Sequence, residues 1–359
     1  MKLFDRNPDI SKMLANGDIE GLAQVLRCDG AHYAYDEGVR RQAIEALGNS
    51  GDQRVIAPLI AALRDGNQAV RLSSVAGLRK FGALPSLIDA LREGDSKVRR
   101  AAAEALGQLG NPQAIEPLMA GLDDDDRNVR IASRQALVQF GDPAVPPLVN
   151  ALREGDGKVR RAAAEAPGQL GNPQAIEPLI RVLKDHDDRV TFAAACALKP
   201  FRDPRSAEPL ITVLREGDDD ARRAAAEALG QLGNSRAVEP LLRALHAYNS
   251  DVRAVAAEAL GHLGNPRAVK PLVRALADEF KNVREAAAWA LGQLGNKNAV
   301  DPLVQALVDP YDDVREAAAW ALGQLADPRA RGPLSEALRD KSERVQKVAR
   351  HALTNVENR

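Results

Sequence analysis

The sequence predicts an all-α fold, a solenoid of eleven stacked helix pairs, from three observations. The phrase Val98-Arg-Arg-Ala-Ala-Ala-Glu-Ala-Leu-Gly-Gln-Leu-Gly110 returns almost unchanged from Val159 and from Ala221. Weaker copies complete a period of about 31 residues, with starts near 39, 70, 98, 129, 159, 190, 221, 252, 283, 314 and 345. Apolar residues within each copy recur at helical spacing. A fixed period in this range is typical of solenoids, in which each repeat adds one supersecondary unit.

The first helix of a repeat is marked by a stop signal and an early proline. Asn111-Pro112 follows Gly110, and a glycine at that place suits the left-handed end of the preceding helix. The next helix carries Pro117 in its early part. A proline there costs little, because the first helical amides have no intrahelical partner. The same proline recurs at positions 58, 178, 209, 240, 271, 302 and 333.

The second helix divides into a core face and a polar stripe. Residues two, six and ten places after each start form what we call the second-helix stripe, which holds Arg100, Glu104 and Gln108 in the copy from Val98. Ala103 and Gly107 are small enough to let neighbouring repeats approach closely. The predicted core positions of this copy are Val98, Ala101, Ala102, Ala105, Leu106 and Leu109.

The turn before each second helix carries a recurrent aspartate. Because it lies three residues before the start, its carboxylate is placed to accept the unpaired amides of the first turn. Arg99, repeated at most starts, is expected to pair with turn aspartates of its own or an adjacent repeat, forming a structural ladder. The capping aspartates predicted in this way are Asp95, Asp126, Asp156, Asp187 and Asp218.

The bulk composition limits the partners. Lys plus Arg is 49 and Asp plus Glu is 50, a balance that argues against a nucleic-acid or anionic-membrane binder. No apolar run reaches the roughly 18 residues of a membrane span, and the first residues do not resemble a signal peptide. The two cysteines, Cys28 and Cys196, occupy different repeat positions, which suggests a cytoplasmic protein. The oligomeric state is left open.

At the level of the whole repeat, the chain resembles a known family. The pattern Ala-Val/Ile-Glu-Pro-Leu, Ala-Leu, Asp-x-x-Val-Arg-x-x-Ala-Ala-x-Ala-Leu-Gly-x-Leu-Gly is similar to HEAT-like repeats of the phycobilisome-lyase type. The resemblance implies a right-handed superhelix whose second helices line a concave face. It also implies an alternative function, that of a bilin lyase or chromophore-handling subunit. The leading interpretation is a non-enzymatic scaffold that binds a protein or peptide partner on the concave face, and it depends on the departures from the repeat near the C-terminal end.

The predicted domain organisation follows from the repeat. Residues 1–17 are expected to form an N-terminal cap, with a helix over 7–14, because repeat arrays need polar ends. Residues 18–356 are expected to form a single solenoid, followed by a tail over 357–359. One continuous stack would thus account for almost the whole chain.

The clearest departures from the repeat lie near the C-terminal end. Trp289 and Trp320 replace the stripe glutamate in two nearly identical repeats, and they are the only tryptophans. An exposed tryptophan pair with carboxylates around it resembles a hot spot for a partner that carries Arg or Lys and an apolar group. The alternative is that each ring packs over the small residues of its neighbour for stability alone. The predicted partner-binding set is Trp289, Trp320, Glu285, Glu316, Glu258, His262, Gln293, Gln324, Lys347 and His351.

A second, weaker pattern runs along the preceding repeats. Charged rungs alternate with apolar ones, which indicates either duplication of a two-repeat unit or a groove striped for an amphipathic partner. This secondary stripe comprises Arg100, Glu104, Ile131, Arg161, Glu165, Phe192, Arg223 and Glu227.

No catalytic chemistry is predicted. The five histidines fall in different repeat positions and no metal-ligand spacing occurs, so we expect no catalytic residue, no metal and no cofactor. Two local anomalies remain. Pro167, in a core position inside a second helix, predicts a kink or early termination, and a hinge is one possible use. The aromatic-rich turn Cys28–Asp36 would either contact a ligand or cover the end of the core.

Overall fold

The computed structural model describes residues 8–26, 28–29, 32–33 and 35–357. Within these ranges the chain is helical except for turns and one short hairpin, in which strand β1 (Cys28–Asp29) pairs antiparallel with β2 (His32–Tyr33). The predicted all-α fold class is therefore confirmed. Part of the Cys28–Asp36 turn and the end of the 357–359 tail lie outside the described residues.

Helix α1 (Ile10–Ala15) precedes eleven helix pairs and contacts the first of them. Its presence agrees with the helix expected in the opening segment, although residue 7 lies outside the described part. The first helices of the pairs are α2 (Ile19–Val25), α4 (Ile56–Ala62), α6 (Leu84–Glu93), α8 (Ile115–Ala120), α10 (Val145–Glu154), α12 (Ile176–Val182), α14 (Ala207–Glu216), α16 (Val238–Ala244), α18 (Val269–Ala275), α20 (Val300–Ala306) and α22 (Arg331–Ala337).

The second helices each begin two residues before the start predicted from the sequence. They are α3 (Glu37–Asn49), α5 (Gln68–Lys80), α7 (Ser96–Leu109), α9 (Arg127–Phe140), α11 (Gly157–Leu170), α13 (Asp188–Leu198), α15 (Asp219–Leu232), α17 (Ser250–Leu263), α19 (Lys281–Leu294), α21 (Asp312–Leu325) and α23 (Glu343–Glu357).

The helices form two compact units, Met1–Asn172 with α1–α11 and Pro173–Arg359 with α12–α23. Within each unit the first helix of a pair packs on its own second helix, and second helices pack on one another, as α7 does on α9 and α17 on α19. The core is built mainly from alanine, leucine and valine of these contacts. The single solenoid over 18–356 stays a prediction.

The turn chemistry follows the sequence closely. The Asp95 carboxylate accepts the amides of Lys97 and Val98, which confirms it as an N-cap. Arg99 donates through Nε and Nη2 to both oxygens of Asp124 in the next repeat, at 2.6 and 2.7 Å. We call this bidentate contact an Arg–Asp clasp, and it confirms the predicted ladder. Clasps of this kind include Arg40–Asp65, Arg99–Asp124, Arg253–Asp278, Arg284–Asp309 and Arg315–Asp340.

Close packing between second helices depends, in most repeats, on a glycine nine residues after the start. A Cβ on Gly107 would lie 2.8 Å from the Cβ of Ala136, and one on Gly292 would lie 2.8 Å from the Cα of Ala321. Real Cβ atoms do not approach backbone so closely, so any side chain here would force the helices apart. The same contact occurs at Gly230, Gly261 and Gly323.

One substitution should therefore have opposite effects at two helical glycines. Gly292→Ala is expected to lower the free energy of unfolding by about 1–2 kcal/mol, because the new methyl overpacks the contact with Ala321. Gly332→Ala, in α22 with nothing within 4 Å of the new atom, is expected to raise it by about 0.5–1 kcal/mol through helix propensity. Urea unfolding of both variants measures this, and effects of the same sign would contradict the packing argument.

Two expectations for the second helices are corrected. The early termination predicted at Pro167 is wrong: α11 continues to Leu170 and ends at Gly171, whose φ is 67°. Pro167 lies in the last turn, so only one intrahelical hydrogen bond is lost. The left-handed Gly171 still ends the helix, and the proline ring is buried. The kink and hinge stay predictions. Leu109, expected in the core, is only half-buried, because it also lies in the final turn of its helix.

Candidate functional site

The second-helix stripe is partly exposed to solvent in the second unit. All ten residues of the predicted partner-binding set lie on α17, α19, α21 or α23. The exposed members are Glu258, His262, Gln293, Gln324, Lys347 and His351, and the half-buried members are Glu285, Trp289, Glu316 and Trp320.

The two tryptophans form a stacked pair. Their ring centroids are 6.2 Å apart and their planes differ by 9°. His262 extends the row, because its ring meets Trp289 edge-on with centroids 4.9 Å apart. Consecutive helices α17, α19 and α21 thus present an aromatic row, His262–Trp289–Trp320. Among the described residues, Lys347 and His351 take no part in a ring contact or an ion pair.

The aromatic row rests on the packing glycines of the preceding helix. A Cβ on Gly261 would lie 3.1 Å from Cζ3 of Trp289, and one on Gly292 would lie 2.7 Å from Cζ3 of Trp320. Each indole therefore packs directly on the glycine backbone, in the space that a side chain at Gly261 or Gly292 would occupy. This contact supports the stabilising alternative stated above, but it leaves each ring half-exposed and held in one orientation. A prearranged, partly exposed aromatic surface is also what a binding anchor requires.

The carboxylates beside the tryptophans differ in their surroundings. Glu316 pairs with Arg344 at 2.5 Å, and Asp313 pairs with Lys281 at 2.9 Å and with Arg344 at 3.3 Å. Glu285 is the equivalent of Glu316 in the preceding repeat, and it makes no ion pair within the described chain. In two nearly identical repeats, the carboxylate of Glu316 is therefore paired with a cation and that of Glu285 is not.

The unpaired carboxylates have raised pKa values. Burial, followed by repulsion from Asp313 and Glu316, raises the pKa of Glu285, although Lys281 and Arg344 oppose the shift. Glu258 is exposed as a residue, but the helices packed around its carboxylate partly desolvate it; this desolvation, followed by repulsion from Glu285 and Glu227, raises the pKa of Glu258. A cation brought to these carboxylates would relieve the repulsion.

Arg344, Lys281 and Asp313 lie outside the second-helix stripe, in the first turns of their helices. Arg344 stands 31 residues after Asp313, at the same repeat position and with the opposite charge. A search for opposite charges one period apart would have identified this pair. The ion pair of Glu316 joins two neighbouring repeats, whereas the stripe is defined by positions within a single repeat.

Two aromatic residues border the same helices at their N-terminal ends. Phe280 and Tyr311 occupy the N-cap positions of α19 and α21, and neither provides a side-chain cap. Arg253 lies 5.4 Å from the centroid of the Phe280 ring, and Lys281 lies 5.4 Å from that of Tyr311. Cation–π contacts thus replace the usual carboxylate at these two turns.

The secondary stripe divides between the units and is largely self-paired. In the first unit, Arg100 pairs with Glu104 at 3.5 Å, Arg161 pairs with Glu165 at 3.1 Å, and Arg134 also contacts Glu165. In the second unit, Glu227 pairs with Lys199 at 2.9 Å, and Arg223 pairs with Asp220 at 3.4 Å. Ile131 and Phe192 are half-buried. These rungs therefore offer a partner fewer unpaired charges than Glu258 and Glu285 do.

The described residues reveal no metal site. No three His, Cys, Asp or Glu side chains within 8–26, 28–29, 32–33 and 35–357 come together in a way that could hold an ion. None of the described helices combines the length and the apolar character needed to cross a membrane.

The fold has many solved relatives. Yeast importin-β (Kap95p) matches with a TM-score of 0.62 at 15% identity, over 97% of this chain and 58% of that one. Kap95p bound to RanGDP gives 0.65 at 15%, over 97% and 57%, and Kap121p gives 0.54 at 14%, over 97% and 46%. The chain therefore spans about half the length of these proteins, and at such identity the likeness concerns the fold alone.

The family is settled by the repeats themselves. None of the curated proteins matches this sequence. The family model for HEAT repeats matches residues 26–93, 84–166, 145–229, 207–281 and 269–354, which together cover nearly the whole chain. The chain belongs to the HEAT repeat family.

Proposed function

We propose that this protein is a non-enzymatic scaffold that binds a basic protein or peptide segment along the second-helix stripe, with Trp289 and Trp320 as the anchor. The observation that carries the proposal is the stacked tryptophan pair, half-exposed, beside the unpaired carboxylates of Glu258 and Glu285. Tryptophan is enriched at binding hot spots, and an indole face attracts cations.

Charge and family both support a polypeptide partner. The stripe of the second unit lacks a free cation beside Glu258 and Glu285, so a basic segment is the complementary ligand. HEAT solenoids commonly serve as protein-interaction scaffolds, and one structural neighbour is a complex of Kap95 with Nup1. The phycobilisome-lyase subfamily, bilin attachment and a cytoplasmic location stay predictions from the sequence and its resemblance.

Site-specific photocrosslinking tests the proposal. A benzoylphenylalanine placed at Gln293 or Gln324 lies on the stripe, whereas one at Gln305 lies exposed on the first helix α20 and serves as a matched control. In extract of the source cells, we expect one polypeptide to crosslink at both stripe positions and not at Gln305. Mass spectrometry should place the adduct in a segment that contains Arg or Lys.

The anchor itself is tested by Trp289→Ala/Trp320→Ala. The double substitution should reduce the affinity of that polypeptide at least about 30-fold, since hot-spot residues each contribute about 2 kcal/mol or more. Unchanged circular dichroism would show that the variant folds. Full affinity in the double variant, or equal adducts at Gln305, would refute the proposal.

A further inference from the structure

The second unit carries two stripe glutamates that lack the cation their equivalents have. Its stripe holds Glu227, Glu258, Glu285 and Glu316. Glu227 pairs with Lys199 and Glu316 pairs with Arg344, but Glu258 and Glu285 make no ion pair or hydrogen bond within the described chain. These two lie on the adjacent helices α17 and α19.

Comparison with the other repeats shows that α17 and α19 lack the arginine of the stripe. In the copies with an intact rung, an arginine two places after the start pairs with the glutamate one turn later, as Arg100 does with Glu104 and Arg161 with Glu165. In α17 that arginine is replaced by the buried Ala254, which leaves Glu258 alone. In α19 it is replaced by Glu285, which adds a second carboxylate. Both guanidiniums are thus missing from these two helices, while two carboxylates remain.

The aromatic row borders these two glutamates on the C-terminal side of α17 and α19. Glu258 lies one helical turn before His262 on α17, and Glu285 lies one turn before Trp289 on α19, so each pair shares a helix face. The edge-on contact of His262 with Trp289, at 4.9 Å, fixes the two helices at this level. Each of the two glutamates therefore lies one helical turn from a residue of the His262–Trp289 contact.

The two cations that act on Glu285 are already engaged with other carboxylates. Lys281 donates to Asp313 at 2.9 Å, and Arg344 is shared between Glu316 and Asp313. Both influence Glu285 only at a distance, and neither pairs with it. The charge that would balance Glu258 and Glu285 has to come from another molecule.

We propose that Glu258, Glu285, Trp289 and His262, here called the guanidinium site, bind the side chain of one arginine of the partner. This inference rests on the proposed function and specifies its ligand. Arginine fits better than lysine, because a planar guanidinium donates in a fork to carboxylates and stacks on an indole, whereas an ammonium is a strongly hydrated point charge. The rungs at Arg100 and Arg161 show the same guanidinium–carboxylate pairing inside the array.

The two tryptophans make the test direct. In a ¹⁵N-labelled sample of the full chain they give the two indole N–H resonances. The probes are the capped tripeptides Ac-Gly-Arg-Gly-NH₂, Ac-Gly-Lys-Gly-NH₂ and Ac-Gly-citrulline-Gly-NH₂. We expect the arginine peptide to shift the Trp289 resonance with a Kd at least about 5-fold lower than the lysine peptide, and the neutral citrulline peptide to leave it unchanged.

Glu258→Gln/Glu285→Gln should raise the Kd of the arginine peptide at least about 10-fold, whereas Glu104→Gln/Glu165→Gln, which alters glutamates already paired, should leave it unchanged. Both substitutions lie at the surface, and matching unfolding midpoints confirm that the variants fold. Equal shifts by arginine and citrulline, or by arginine and lysine, would overturn the inference.

The two proposals fail separately. A basic polypeptide crosslinked at Gln293 and Gln324, together with an arginine probe that shifts nothing, would leave the scaffold function standing and remove the guanidinium site. An arginine-specific shift without any crosslinked polypeptide would retain the site and remove the partner-binding function proposed above.

Discussion

Asp340→Ala is expected to lower the free energy of unfolding by about 3–5 kcal/mol, because it leaves a buried guanidinium without its counter-ion. In the parent, Arg315 is 4% exposed and donates to both oxygens of Asp340, at 2.7 and 2.8 Å. A third nitrogen of Arg315 donates to the carbonyls of Asp309 and Pro310 in its own turn, so the arginine cannot move to water without breaking that turn.

Urea unfolding with a double-mutant cycle measures this effect. The variants are Asp340→Ala, Arg315→Ala and the combination, and we expect a coupling free energy of about 2 kcal/mol or more. Asp301→Ala is the matched control, because its pair with Arg329 is exposed, and it should change stability by less than about 0.5 kcal/mol. A coupling below about 0.5 kcal/mol would show that the clasp adds nothing to stability.

The same pair predicts a pH dependence. The hydrogen bond from Arg315 lowers the pKa of Asp340 below its ordinary value. A carboxyl whose folded-state pKa is lowered stabilises the protein above its unfolded-state pKa of about 4, and this contribution is lost as the pH falls through the folded-state pKa. The stability difference between the parent and Asp340→Ala should therefore shrink as the pH is lowered below about 4.

Pro167→Leu is expected to raise the free energy of unfolding, by up to about 3 kcal/mol, the usual cost of a proline inside a helix. The equivalent core positions Leu106 and Leu229 are fully buried leucines, so the surrounding repeat is built for that side chain. Leucine would also provide the amide that Pro167 lacks and restore the bond to the carbonyl of Ala163.

Two measurements test this prediction. Urea unfolding gives the stability, and hydrogen exchange of the amides in α11 shows whether the gain is local. Leu229→Pro is the reverse control in α15 and should lower stability by about 3 kcal/mol or more. A neutral or destabilising Pro167→Leu would mean that the neighbouring helices have adapted to the proline.

Much of the stripe followed from the period alone. Because a side chain at a given repeat position lies on the same face in each copy, Trp289 and Trp320 were expected side by side, and their stacked rings confirm this placement. The stripe also predicted Glu258, Glu285 and His262 around them. The core was predicted by the same rule, except where a helix ends, as at Leu109, since the last turn is covered on one side only.

The charge state of the site depended on contacts between repeats. Glu285 and Glu316 have nearly identical sequence surroundings, yet only Glu316 has a cation, because Arg344 reaches it from the following helix. Such a contact depends on the distance and rotation between helices, which a pattern read within one repeat does not contain. The sequence also left open whether the tryptophans pack or bind, and the positions of Gly261 and Gly292 show that packing is part of their role.

The sequence by itself determined the HEAT repeat, the helix pairs, their capping residues and the face on which variation is concentrated, because these depend on local spacing repeated eleven times, whereas the phycobilisome-lyase type stays a prediction. Only the tertiary structure decided that α11 continues through Pro167 and that Glu258 and Glu285 lack a cation. The physical reason is the same in both cases. A helix end and an ion pair are decided by neighbouring repeats, whose packing can outweigh a local preference of a few kcal/mol.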